Sequence, residues 1–190
     1  QMCIRDSWWD VLESLYQLDM FADLANPVTT TVEETPGLFL KAGAENVVFE
    51  PVLALGTEQI TRGGWYLPSP RGEALEKRDL WSYLHKHTAE DLKSTKVSPP
   101  PLAAGSRTEF DPGDQPFGLW ISNDNFDDGG IFSEPTLVAL INERLAAQPY
   151  KAMIYPLKGQ SSAYLIGWEY STNDDFQDVV CVIRNVRLKK

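Results

Sequence analysis

Hydrophobic positions change period along this chain, from helical spacing near the start to strand-like alternation beyond residue 37. Over residues 8–24, Trp8, Leu12, Leu15, Tyr16 and Phe21 recur at helical spacing with Asp10, Glu13 and Asp19 between them, which predicts one amphipathic helix. Asn26-Pro27 ends it, and the polar, aperiodic segment 29–37 reads as a linker. Residues 38–41, 46–55 and 60–67 then follow strand patterns, with Gly63-Gly64 suggesting a bulge or a close backbone approach. Residues 73–92 are charged with a weak helical stripe of Leu75, Leu80, Trp81 and Leu84, and Pro99-Pro100-Pro101 forbids regular structure after them. We read that stretch as an excursion between strands. Residues 117–122, 151–157, 163–169 and 178–186 are short apolar or alternating runs bounded by turn residues. Ser133 precedes a second helical stripe, Leu137, Leu140, Ile141 and Leu145, and is placed to cap it.

Together these elements predict an all-β fold, a jelly-roll-like antiparallel β-sandwich with one or two added helices. Residues 1–7 read as a translated adapter remnant, and 8–36 as a helix and linker from a preceding domain, with 8–35 expected to be dispensable for folding. Residues 37–190 are the sandwich module.

Composition agrees with strands and many turns: Trp 6, Tyr 7 and Phe 8 stand beside Gly 13 and Pro 13. The net charge of −10 repels phosphate backbones and anionic lipid, so neither nucleic acid nor a membrane surface is expected as a partner. No apolar run approaches the roughly 20 residues needed for membrane insertion. Cys181 sits inside an apolar alternating run and is read as a buried thiol.

Candidate chemistry concentrates in residues 163–186. Tyr164, Ile166 and Trp168 fall on one strand face and Leu165, Gly167 and Glu169 on the other; Val180, Val182 and Val186 alternate in the run that follows. Two strands joined by an acidic loop form a hairpin. If Glu169 and Asp178 close it, their Cβ atoms lie about 5 Å apart, a destabilising placement for like charges unless a cation neutralises them. Asn173, Asp174 and Asp175 add oxygen donors of the kind calcium takes. The alternatives are a solvated turn, or a carboxylate pair at the spacing of a retaining glycosidase. A second acidic cluster, Asn123, Asn125 and Asp127 with Glu134, approximates a calcium loop, but Asn stands at its first position and Gly129 falls one residue late. The polar-loop reading leads, with a place beside the hairpin loop, sharing its ion, as the alternative. His85 and His87 have no third ligand beside them and read as a solvated pair. No nucleophile elbow, phosphate-binding loop or dinucleotide turn is present in the sequence. Trp65, Tyr66, Trp81, Trp120, Tyr155 and Trp168 are candidates for the core or for a sugar-stacking platform.

Gly167-Trp168-Glu169 followed by Asp175-Phe176-Gln177-Asp178-Val179-Val180 resembles the closing motif of the bacterial domain of unknown function numbered 4114. It is also similar to a variant of that family carrying Gln at the position of Gln177, found at the C-termini of large secreted proteins. Phe117-Gly118-Leu119-Trp120, Asn142, Ile154-Tyr155-Pro156-Leu157 and Asn185-Val186 extend the likeness over the second half of the chain. Tyr170 stands where the family has Asp, and Gln177 where it has Asn. The resemblance implies a secreted or cell-surface setting beside other domains of a longer parent chain, with no established activity. The expected function is that of a non-catalytic, calcium-stabilised accessory module binding an extracellular glycan or another cell-surface component. A carboxylate-dependent glycoside hydrolase and a purely structural spacer are the alternatives.

Overall fold

The computed structural model describes residues 37–54, 60–69, 75–86, 99–122, 130–137, 151–170, 176 and 178–189. The helix expected over 8–24, its linker, and the second helical stripe beyond Leu137 lie outside them. The described strands are β1 (Leu38–Lys41), β2 (Val47–Ala54), β3 (Arg62–Leu67), β4 (Glu76–Ser82), β5 (Glu109–Phe110) and β6 (Phe117–Ser122). They continue with β7 (Ile131–Phe132), β8 (Ala152–Pro156), β9 (Ala163–Trp168), β10 (Val179–Arg184) and β11 (Val186–Leu188). Two antiparallel sheets result. One has six strands in the order β11-β1-β6-β3-β4 with β7 added beside β6, and the other five in the order β5-β2-β10-β9-β8. The all-β sandwich read from the sequence is the observed architecture.

Alternation sorts the side chains. On β9, Tyr164, Ile166 and Trp168 face the interior between the sheets, whereas Ala163 and Leu165 belong to a separate cluster on the far face. The interior is aromatic: Phe49 stacks on Trp81 with centroids 5.1 Å apart, and Trp65 on Phe110 at 5.3 Å. Gly63 leaves room for the Trp81 ring where the β3–β4 register shifts between Gly63 and Gly64, the bulge that the glycine pair suggested. Cys181 is buried and unpaired, and burial pushes its thiol up to about 12.

Three sequence expectations change. Part of the 73–92 stretch is the edge strand β4, not a helical excursion. Glu76, Lys77, Arg78 and Asp79 are all exposed along it, and such charge protects a sheet edge from pairing with another chain. The run 178–186 is two strands in different sheets, because Asn185 takes a left-handed conformation (φ 62°) and turns the chain across. Val186 therefore faces the interior, while Val180 and Val182 line the far face. Ser133 stands two residues ahead of the helical residues 135–137, but its hydroxyl is engaged in the sheet. β1 pairs with the first residues of β6, and β7 with later ones on the same side. Ser133 bridges the gap: its hydroxyl accepts from Leu119 N at 2.9 Å and donates to the Gly37 carbonyl at 2.6 Å. Gly37 has φ +82°, and a Cβ there would collide with the Ser133 carbonyl. The two-residue strands β5 and β7 were not expected, since so few residues show no period.

Candidate functional site: the closure of the acidic hairpin

β9 and β10 pair in register from Val179 opposite Trp168 to Arg184 opposite Ala163. β8 pairs with β9 on its other side, Ala152 opposite Trp168. One residue further, the ladder continues through backbone bonds: Glu169 N donates to Lys151 O at 3.0 Å, and Asp178 N to Trp168 O at 3.1 Å. Lys151, Glu169 and Asp178 thus end three neighbouring strands in one row. The expected placement of Glu169 across from Asp178 is the one observed, and a lysine flanks it.

All three are buried, Glu169 at 0 %, Lys151 at 1 % and Asp178 at 6 % exposure. Each carboxylate also ties down the loop. Asp178 Oδ2 accepts from Tyr170 N at 2.6 Å, and Glu169 Oε2 from Phe176 N at 3.2 Å. Phe176 reaches that position in a left-handed conformation (φ 51°), and its ring packs into the far-face cluster with Leu53 and Val180. Bonds from backbone N–H to a carboxylate are charge-assisted, about twice as strong as neutral ones. The hairpin mouth is therefore closed by its own acidic side chains.

Under this mouth the sandwich interior holds two buried tyrosines, Tyr83 and Tyr170. Tyr83 N donates to Thr61 O at 2.9 Å, and the Tyr170 ring sits close to both residues; burial pushes both tyrosine hydroxyls up. Thr61 precedes β3, whose first residue pairs with Ser122 at the end of β6. The end of β6 that leads to Asn123 thus lies at the same end of the sandwich as the hairpin closure.

Asn173, Asp174 and Asp175 lie outside the described residues, as do Asn123, Asn125 and Asp127. Glu134 is placed elsewhere: its Oε1 accepts from Tyr66 Oη at 2.7 Å, and Tyr66 packs with Trp120 and Phe132 on the outer face of the six-stranded sheet. It is not brought beside Glu169 and Asp178. Burial holds its carboxyl above the ordinary range, and the burial of Tyr66 itself, with the Glu134 charge, raises Tyr66 well above its own. His85 is exposed, with Nδ1 on Lys86 O at 3.0 Å, and His87 lies outside the described residues. Trp65, Tyr66, Trp81, Trp120, Tyr155 and Trp168 are all buried, which makes them core and removes them as a sugar platform.

Among the described residues no group of three or more His, Cys, Asp or Glu side chains converges as a metal site. Glu169 and Asp178 are nonetheless hard oxygen donors side by side, the kind calcium takes. The row places two carboxylates beside one ammonium. The sequence reading missed Lys151 as the resident cation. Its only trace was a lysine at the head of the apolar run 151–157, and its place opposite Glu169 depends on a strand pairing that no local pattern encodes. No family model, no curated protein and no solved structure matches this chain.

Proposed function

We propose that this chain is a non-catalytic accessory module of a larger secreted or cell-surface bacterial protein, with its acidic hairpin closure stabilised by calcium. The observation that carries the reading is the burial of Glu169 and Asp178 with a carboxylate oxygen of each on a loop amide. A glycosidase pair must reach a sugar ring and a water; these two side chains are turned to holding the loop. Calcium would add positive charge beside the two carboxylates, held by Glu169 and Asp178 with Asn173, Asp174 and Asp175 of the loop. The resemblance of the closing motif to the 4114 family supports the extracellular setting.

The partner in this reading is an extracellular glycan or cell-surface component. With the large interior aromatics excluded, one described concavity is a groove of about 370 Å³ at the β8–β9 turn, lined by Pro156, Gly159, Gln160, Ser161 and Tyr164 among others. An amide and a hydroxyl there suit sugar hydroxyls. A glycan array probed with calcium present is the test. Retention of a glycan that weakens in Gln160→Ala, with no reducing sugar released, is the expected result. An array without signal leaves the spacer reading in its place, and sugar release lost in Glu169→Gln establishes the hydrolase.

A further inference from the structure

Lysine and glutamate almost never leave water completely, yet Lys151 is 1 % and Glu169 0 % exposed. They are direct neighbours on adjacent strands. Ala152 pairs with Trp168, and one residue further the Glu169 N–H donates to the Lys151 carbonyl at 3.0 Å. Ala152 and Trp168 face the interior, so alternation sends Lys151 and Glu169 together to the far face of the five-stranded sheet, which carries Met153, Leu165, Val180 and Phe176. The Cβ atoms of residues paired in this way lie about 5 Å apart, a gap that a lysine and a glutamate side chain span with length to spare. An amine and a carboxyl are thus held side by side where water is kept out. Proximity replaces a bimolecular encounter, and exclusion of water removes the reagent that would hydrolyse the product. The Lys41–Asp111 pair, 2.8 Å apart with the aspartate side chain 56 % exposed, lacks the second condition and stays ionic.

We propose that Lys151 and Glu169 condense into an intramolecular isopeptide bond that ties β8 to β9 beyond their last ladder pair. Lys151 Nζ attacks Glu169 Cδ, so a C–N bond forms and the Cδ–Oε1 bond breaks. Of the three ammonium protons one stays on the amide nitrogen and two leave with the departing oxygen as water. Ammonium and carboxylate become amide and water, with no oxidant or reductant. Glu169 Oε2 is the oxygen retained, because the Phe176 N–H donates to it at 3.2 Å and is already aimed where negative charge develops during the attack. Phe176 presents that N–H from a left-handed conformation (φ 51°). Asp178, on the other side of Glu169 and fixed by the Tyr170 N–H on its Oδ2 at 2.6 Å, carries a proton from the nitrogen to the departing oxygen. The bond stands apart from the calcium reading: Asp178 keeps its charge, and an amide oxygen is a calcium ligand as a carboxylate is.

The intact mass of the purified full chain tests this whether or not calcium binds. The folded protein is expected to be lighter than its sequence by one water, and its tryptic digest to contain the Lys151 and Glu169 peptides joined, with no cleavage after Lys151. Lys151→Arg and Glu169→Ala each restore the full mass. Asp178→Asn keeps an acceptor for the Tyr170 N–H but cannot carry the proton, so the loss of water in freshly synthesised chain slows about tenfold or more. Should a variant fail to fold, the wild-type mass and peptide map decide alone. A folded wild-type chain at its full sequence mass overturns the proposal, as does a loss of water that maps to residues other than Lys151 and Glu169 or that persists in Lys151→Arg.

Discussion

The two sheets bury carboxylates in opposite ways. On the six-stranded sheet, Glu134 accepts from a neutral donor, the Tyr66 hydroxyl, and burial drives its carboxyl toward the protonated form against the pull of that bond and of the Lys189 charge. At the end of the five-stranded sheet, Glu169 and Asp178 accept backbone N–H groups and share their row with Lys151. One site tolerates a buried acid by favouring its neutral form, the other by surrounding the anion with donors and positive charge. Charge compensation of the second kind is the arrangement to which a metal ion can be added.

That contrast sets the expected cost of breaking each site. Glu169→Ala leaves buried Lys151 without the carboxylate across from it and the Phe176 N–H without its acceptor, so about 3–5 kcal/mol of stability should be lost in urea denaturation. A loss below about 1 kcal/mol would show that the row is solvated and not compensated. Glu134→Gln should act more weakly and with a pH signature. The folded carboxyl of Glu134 titrates above its unfolded value of about 4.3, so its favourable contribution is complete below that pH and is lost as pH rises through the raised folded value. The glutamine keeps an acceptor for Tyr66 and does not titrate. The variant should therefore gain on the wild type as pH rises from about 4 toward neutrality, measured by melts across that range. A difference that does not vary with pH would mean that burial does not perturb Glu134.

Much of this was legible in the sequence, and the limits have physical causes. The alternation of 163–169 correctly sent Ile166 and Trp168 inward, because a half-buried strand shows its period in every side chain. The facing of Glu169 and Asp178 followed from one short hairpin, in which pairing is local. Lys151 was invisible as their neighbour because β8 and β9 must first be paired across a turn before its row is known. β4 was hidden because an edge strand is rich in charge, and charge masks the period. The crossing at Asn185 was missed because valines flank it on both sides, so hydrophobicity carries straight through the turn. Glu134 looked like part of an acidic loop in sequence, yet its partner Tyr66 is 68 residues away.

The central claim is that the acidic closure is a structural, cation-stabilised device, and calcium-dependent melting tests it most directly. The full chain and Asp178→Asn are melted with millimolar calcium and with a chelator. Calcium should raise the wild-type melting temperature, corresponding to about 2.7 kcal/mol at a hundred times the dissociation constant, and Asp178→Asn should remove most of that shift. Magnesium should substitute poorly, because its small octahedral shell accommodates crowded carboxylates less well. A wild-type melt indifferent to both calcium and chelator, with no heat of binding by calorimetry, would contradict the account and leave the two carboxylates held by the protein's own groups.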